Sequence, residues 1–311
     1  MKSACLAGGR VAARSTPERK DKRRLNTEPS VRTPGPLLRE WRIRRRMSQF
    51  ELASDAGIST KHLSFLETGR SRPSRQMLLR LAACLEVPLR DRNELLNAAG
   101  FSQVFEERSL DAPPLDMVRR AVDAVLAAHD PNPALAVDRR WTMVAANRAV
   151  AHLFSGAEPL LLRPPVNIMR LLLHPAGMAS RIVNLPQWRS HAIGRLRRRI
   201  DCTGDSGLID LLDEIREYPS VRANGAATGT ADPDMVAVPL RLATMDGIMS
   251  FYETSTLFAT PVDITVSELS IEAFLPADRQ TAEAMRIAAD KGDMQSPPRP
   301  LAPAQTLAMM V

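Results

Sequence analysis

The chain has 311 residues, 44% hydrophobic and 25% charged, which suits two globular domains with tails. Its net charge of +7 is unevenly placed: residues 1–108 hold 22 Lys+Arg against 12 Asp+Glu (+10), the remainder 20 against 23 (−3). A basic front third suits a polyanionic partner, while three scattered cysteines (Cys5, Cys84, Cys202) exclude a disulfide framework and zinc-ligand spacing.

Residues 1–33 carry nine basic residues and no apolar periodicity, so they are expected to form a disordered basic arm. Gly8, Gly9 and Arg10 interrupt the start before the hydrophobic region of a signal peptide develops. No apolar run reaches the ~18–20 residues that span a bilayer. With its few cysteines, the chain reads as cytoplasmic.

From Pro36 to Gly100 the pattern is five short helices with strong stop signals. Leu37, Leu38, Trp41 and Ile43 are expected to form an apolar stripe on the first. Ser48 and Glu51 make an S-x-x-E capping box that opens the second. Gly57 turns the chain, Ser59 caps a third helix ending near Glu67, and Gly69 stops it. Pro73-Ser74 start a fourth with Leu78, Leu81, Ala82 and Leu85 inward, and Asp91 starts a fifth, ended by Gly100. Residues 34–105 are thus expected to form an all-α domain, and 106–114, with Pro113-Pro114, a linker.

Residues 115–290 read as α+β. Asp116–Ala128 alternates at helical spacing, Ala134–Val137 and Trp141–Ala145 are expected strands, and Asn147 is a candidate cap for the helix that follows. Residues 167–217 read as helices interrupted at Pro175, Gly177, Pro186 and Thr203–Gly207. Met235–Ala243 and Ile248–Phe258 suit a hairpin about Asp246-Gly247, with Val236, Val238, Leu240 and Leu242 on one face. A strand over Leu269–Leu275 and a helix over Asp278–Ala289 complete the domain. Residues 219–234 are a polar loop, and 291–311 an expected disordered tail.

The segment S-Q-F-E-L-A-S-D-A-G-I-S-T-K-H-L-S-F-L-E-T-G-R carries the clearest functional signal. Its spacing suits two helices crossed at a sharp angle, with Ala53 at the crossing and Leu52, Ile58, Leu63 and Leu66 inward. Thr60, Lys61 and Ser64 are left outward near the start of the third helix, where a helix in the major groove meets base edges. Gln49, Ser59, His62, Arg70 and Arg72 are candidate phosphate contacts. Phe65 borders this surface.

Residues 36–100 resemble the Xre-type helix-turn-helix regulators. Within them, ISTKHLSFLETGRSRPSRQMLLRLAACLEVPLRDRNELLNAAGF resembles the MmyB-like branch, whose second domain is also recognisable in W-T-M-V-A-A-N-R. The resemblance covers about residues 34–280. It implies a PAS-like sensor domain enclosing a small, largely apolar ligand, with fatty-acid-like molecules as precedent. Helix-turn-helix dimers bind half-sites about one helical turn apart, so a homodimer on a pseudo-palindromic duplex operator is expected.

Trp141, Trp188, Phe251 and Tyr252 are candidate lining residues for that ligand, and Asn147, His174 and His191 candidate polar anchors. The run Arg195, Arg197, Arg198, Arg199 reads as a solvated face. No G-x-S-x-G elbow, HExxH, Walker loop or G-x-G-x-x-G occurs, so neither catalysis nor a cofactor or metal is expected. Two alternatives stay open: a constitutive regulator whose second domain only dimerises or docks a protein, and an enzyme domain fused to a DNA-binding one.

Overall fold

A computed structural model of the chain describes residues 33–219, 237–245 and 247–293. The expected arm and tail, and most of the polar loop, lie outside the described residues.

Residues 34–98 hold five helices: α1 (Pro34–Arg44), α2 (Gln49–Asp55), α3 (Thr60–Glu67), α4 (Arg75–Cys84) and α5 (Leu89–Ala98). Side-chain caps fix three of the starts. Glu51 N donates to Ser48 Oγ while Ser48 N donates to the Glu51 carboxylate, so the capping box is closed. His62 N and Met77 N donate to the Ser59 and Ser74 hydroxyl oxygens. Gly57, at φ +63°, makes the turn between α2 and α3 that an L side chain resists. α5 begins at Leu89 rather than Asp91, because Pro88 supplies the fixed φ that launches a helix, and Asp91 sits in its first turn.

Leu38, Leu52, Leu63, Leu66, Leu78, Leu81 and Leu85 form the core of this bundle with Trp41. Ile43 departs from expectation and is exposed. At 100° per residue it lies on the far side of α1 from Trp41.

The second region packs helices on both faces of one antiparallel sheet. Strands β1 (Ala134–Val137), β2 (Met143–Ala146), β3 (Leu240–Thr244), β4 (Gly247–Leu257) and β5 (Ser270–Pro276) run in the order β2-β1-β5-β4-β3. Strand alternation sends Leu135, Val137, Phe251 and Phe274 to one face, and Ala134, Ala136, Ile271 and Ala273 to the other. Val122 and Leu126 of α6 (Asp116–Ala128) pack on the second face. The first is covered by α7 (Ala149–Leu153), α8 (Ile168–Leu173), α9 (Leu185–Thr203) and α10 (Ser206–Glu217). Two further helices, α11 (Ile264–Glu268) and α12 (Arg279–Asp293), flank β5.

Several local expectations are corrected. β2 starts at Met143, since Trp141, at φ +65°, belongs to a turn in which Asp138 Oδ1 accepts from Arg140 N and Thr142 N. Pro186 does not interrupt a helix but lies in the first turn of α9, where its missing N–H is harmless. Thr244 pairs with Gly247, so the hairpin turns one residue earlier than Asp246-Gly247, and β3 starts only at Leu240. Leu240 and Leu242 are buried with Val238 against them, as that face requires, while Val236 lies outside the described residues. α11 was not foreseen: five residues are too few for a periodic signal.

Candidate nucleic-acid interface and sensor core

α3 turns Leu63, Leu66 and Glu67 inward and leaves Thr60, Lys61 and His62 exposed in its first turn, with Ser64 and Phe65 half-buried behind them. Lys61 Nζ and Arg70 Cζ each lie 5.8 Å from the Phe65 ring centroid, so one ring seats two cations. Arg70, Arg72 and Arg75 are exposed, and none of these four cations has a carboxylate partner among the described residues. Neither α3 nor α4 has an acid in its first turn; Lys61 and Arg75 stand there instead. A cation at a helix N-terminus is disfavoured by about 0.3–1 kcal/mol, so the two ends gather positive potential suited to an anion. Arg75 escaped the sequence reading; its signal was a basic residue directly after a serine cap.

A buried ion pair holds this surface in place. Arg42 Nε donates to Glu67 Oε1 (2.6 Å) and Arg42 Nη2 to Glu67 Oε2 (2.8 Å), while Gln49 Nε2 donates to the same Oε2 (2.8 Å). Glu67 is 4% exposed, so α1, α2 and α3 are tied at one carboxylate. Burial pushes that carboxyl up, but the hydrogen bonds from Arg42 and Gln49 outweigh it, and it lies below the usual range. Gln49, a candidate phosphate contact, is thus half-buried with its amide committed to Glu67. Ser59 Oγ is occupied as the α3 cap.

In the second region Trp141, Trp188 and Phe251 are buried in the cluster between sheet and helices. Both indole Nε1 atoms lack a hydrogen-bond partner among the described residues. Arg195 Cζ and Arg199 Cζ lie 4.5 and 5.2 Å from the Trp141 ring. Arg195 bridges two carboxylates, at 2.5 Å to Glu253 Oε1 and 2.9 Å to Glu272 Oε2, and the Ser255 and Ser270 hydroxyls donate to Glu272 Oε1. The arginine run is therefore only half a solvated face: Arg197 and Arg198 are exposed, and Arg195 and Arg199 turn inward, as positions four apart on one helix must. His191 is half-buried beside Trp188, 5.3 Å between ring centroids, and burial with nearby Arg195 and Arg198 depresses its pKa.

The other candidates are placed differently. Asn147 does not cap α7, which begins without a side-chain cap. Its Oδ1 accepts from Ala134 N, and its Nδ2 donates to the Leu126 and Asn132 carbonyls, clamping β1 to the end of α6. His174 packs edge-on against Tyr218 at 5.0 Å and accepts from Ala176 N. Tyr252 sits on the opposite face of β4 from Phe251 and is 41% exposed; its neighbour's inward side chain dictates this.

Polar contacts join the two regions. Arg90 of α5 reaches both Glu107 and Glu268, the latter at 2.8 and 2.9 Å. Ile264 N donates to the Glu106 carbonyl, Arg108 pairs with Asp263, and Asn93 holds Val104 and Phe105. Arg139 reaches Asp205 and Glu268 around an open cleft of about 350 Å³ that Arg90, Glu107 and Thr265 also line.

A capped helical pair with a basic edge, joined to a sheet domain with a polar buried seam, suits a DNA-binding regulator with a ligand-binding domain. Residues 35–95 match the family described as helix-turn-helix domain, and residues 118–288 the MmyB-like transcription regulator ligand binding domain. The second match spans more than half of the chain, which belongs to the MmyB-like transcription regulators. A search of curated proteins found no match. Among solved structures, the chain is similar to the one titled "Structure of an RNA-binding Light-Oxygen-Voltage Receptor", at 14% identity over 90% of this chain and 70% of that one. The TM-score there is 0.25, too low to carry an argument.

Proposed function

We propose that the chain reads a specific duplex sequence as a homodimer and that a small, largely apolar ligand in its PAS-like second domain sets its affinity for that site. The exposed first turn of α3, backed by Lys61, Arg70, Arg72 and Arg75 without carboxylate partners among the described residues, carries the reading. Thr60, Lys61 and Ser64 face base edges; His62, Arg70, Arg72 and Arg75 meet phosphates, with Gln49 and Ser59 beside them. Helix-turn-helix dimers take half-sites about one helical turn apart, so the operator is a pseudo-palindrome.

The ligand reading is supported by the family match and by the aromatic and aliphatic cluster that Trp141, Trp188 and Phe251 share. Ligand control requires unequal affinity for two arrangements of the protein, and the Arg90–Glu268 contact between the regions is a physical route for it. A constitutive regulator whose second domain only dimerises is favoured by one observation: these candidate lining residues pack against one another.

Selection of binding sites from random duplexes, paired with native mass spectrometry of protein purified from cells, tests both parts. A recovered pseudo-palindrome and a co-purifying small molecule support the proposal. No enrichment of any sequence overturns its first half. An empty protein with no thermal shift across a lipid panel overturns the second and leaves the constitutive reading.

A further inference from the structure

The face of α9 that meets the sheet changes character along its length. At one end Trp188 packs with Phe251 and Phe274 in an apolar cluster. Seven residues on, about 10 Å along a helix, Arg195 lies between Glu253 and Glu272, with Arg199 and the Trp141 ring beside it. The seam is therefore amphiphilic, with one wet-chemistry end and one oily end.

Two features of the seam choose a ligand. Trp141 and Trp188 are at most 2% exposed, and their N–H groups have no acceptor among the described residues. A buried donor left unpaired is unfavourable, so the seam presents two N–H groups that an acceptor would satisfy. Arg195 is already shared by the Glu253 and Glu272 carboxylates, and Glu272 and Asp138 act on Arg199. An ionised head would meet these carboxylates; a cation would face donors.

We infer that the seam between α9 and the sheet binds a neutral amphiphile whose ester, lactone, amide or ketone oxygen accepts from the Trp141 or Trp188 indole N–H while its alkyl part lies among Trp188, Phe251 and Phe274. This rests on the apolar-ligand reading above and narrows it to uncharged heads. Because both indoles are buried, the ligand reaches them only as α9 shifts from the sheet, so occupancy and α9 position are one equilibrium.

The test titrates the full chain at about pH 8, where an alkanoic acid is ionised, with methyl decanoate, N-methyldecanamide and decanoic acid, following binding by calorimetry and thermal shift. The neutral probes bind, and the acid binds about tenfold more weakly or worse. Trp141→Phe or Trp188→Phe, each keeping an aromatic ring, weakens the neutral probes about fivefold, as loss of one hydrogen bond would. Acid binding as tight as the ester, or unchanged ester affinity in both variants, overturns this inference alone. Failure of all three probes overturns it together with the apolar-ligand reading.

Discussion

Arg44, in the last turn of α1, donates from Nη1 to the Ile200 carbonyl at 3.2 Å, so the first helix of the DNA-binding region touches the end of the helix that lines the sensor seam. Gly204 lies against this contact: a Cβ there would fall 2.3 Å from the same nitrogen, so the guanidinium would have to shift, and its φ of +67° is left-handed. With the Arg90 contacts, α1 and α5 both rest on the second region. A shift of α9 would therefore bear on α1 through the Arg44 hydrogen bond.

Arg90→Ala removes the guanidinium shared by Glu107 and Glu268. Loss of charged hydrogen bonds at this partly buried site weakens the junction by about 1–3 kcal/mol. The amide of Ile264, which donates to Glu106 across the junction, then exchanges its hydrogen faster, while amides in the α3 core keep their protection. Unchanged exchange at Ile264 contradicts the prediction.

Glu67→Ala leaves the Arg42 guanidinium and the Gln49 amide buried without their acceptor. Breaking a buried pair by removing one member costs about 3–5 kcal/mol, so the helical region melts well before wild type. The folded carboxyl lies below its usual value, so its contribution is present above the unfolded pKa of about 4.5 and lost as pH falls through the folded one. Denaturant titration in acid and at neutrality reads both effects; equal loss at both pH values contradicts the sign.

Those two pairs also show what was legible in the sequence. Three helix starts were, because Ser48, Ser59 and Ser74 act on amides three residues away, and such local chemistry has a fixed spacing. The outward positions of α3 followed from its inward Leu63 and Leu66. The Arg42–Glu67 pair, 25 residues apart, and the Arg90–Glu268 pair, 178 apart, have no such signature. The seam residues were half visible: aromatics could be named as buried, but not that Arg195 would turn inward to two strand carboxylates. Asn147 was misread because an asparagine before a helix looks like a cap, whereas its bonds run backwards to β1 and α6. Tyr252 was misread although its place next to Phe251 on one strand already puts the two on opposite faces.

Asp91 makes the junction sensitive to pH in the opposite sense. Burial raises its carboxyl to about 6, with Glu94 and Glu268 adding to the rise and Arg139 and Arg44 opposing it. A carboxyl raised on folding favours the native state below its unfolded value of about 3.8, and that contribution is lost as pH rises through about 6. Asp91→Asn therefore raises the melting temperature at about pH 7.5 and has little effect near pH 4. A lower melting temperature at the higher pH contradicts this.

The central claim is that α3 reads base edges while the cations beyond it hold phosphates. Its most direct measurement is equilibrium binding of wild type, Lys61→Ala and Arg70→Ala to the selected operator and to random duplex across a salt series. Lys61→Ala loses about 1–3 kcal/mol on the operator alone, with the salt slope nearly kept. Arg70→Ala weakens both duplexes alike and lowers the slope by about one. Equal losses on both duplexes in both variants, or no duplex binding by wild type at low salt, contradict the account.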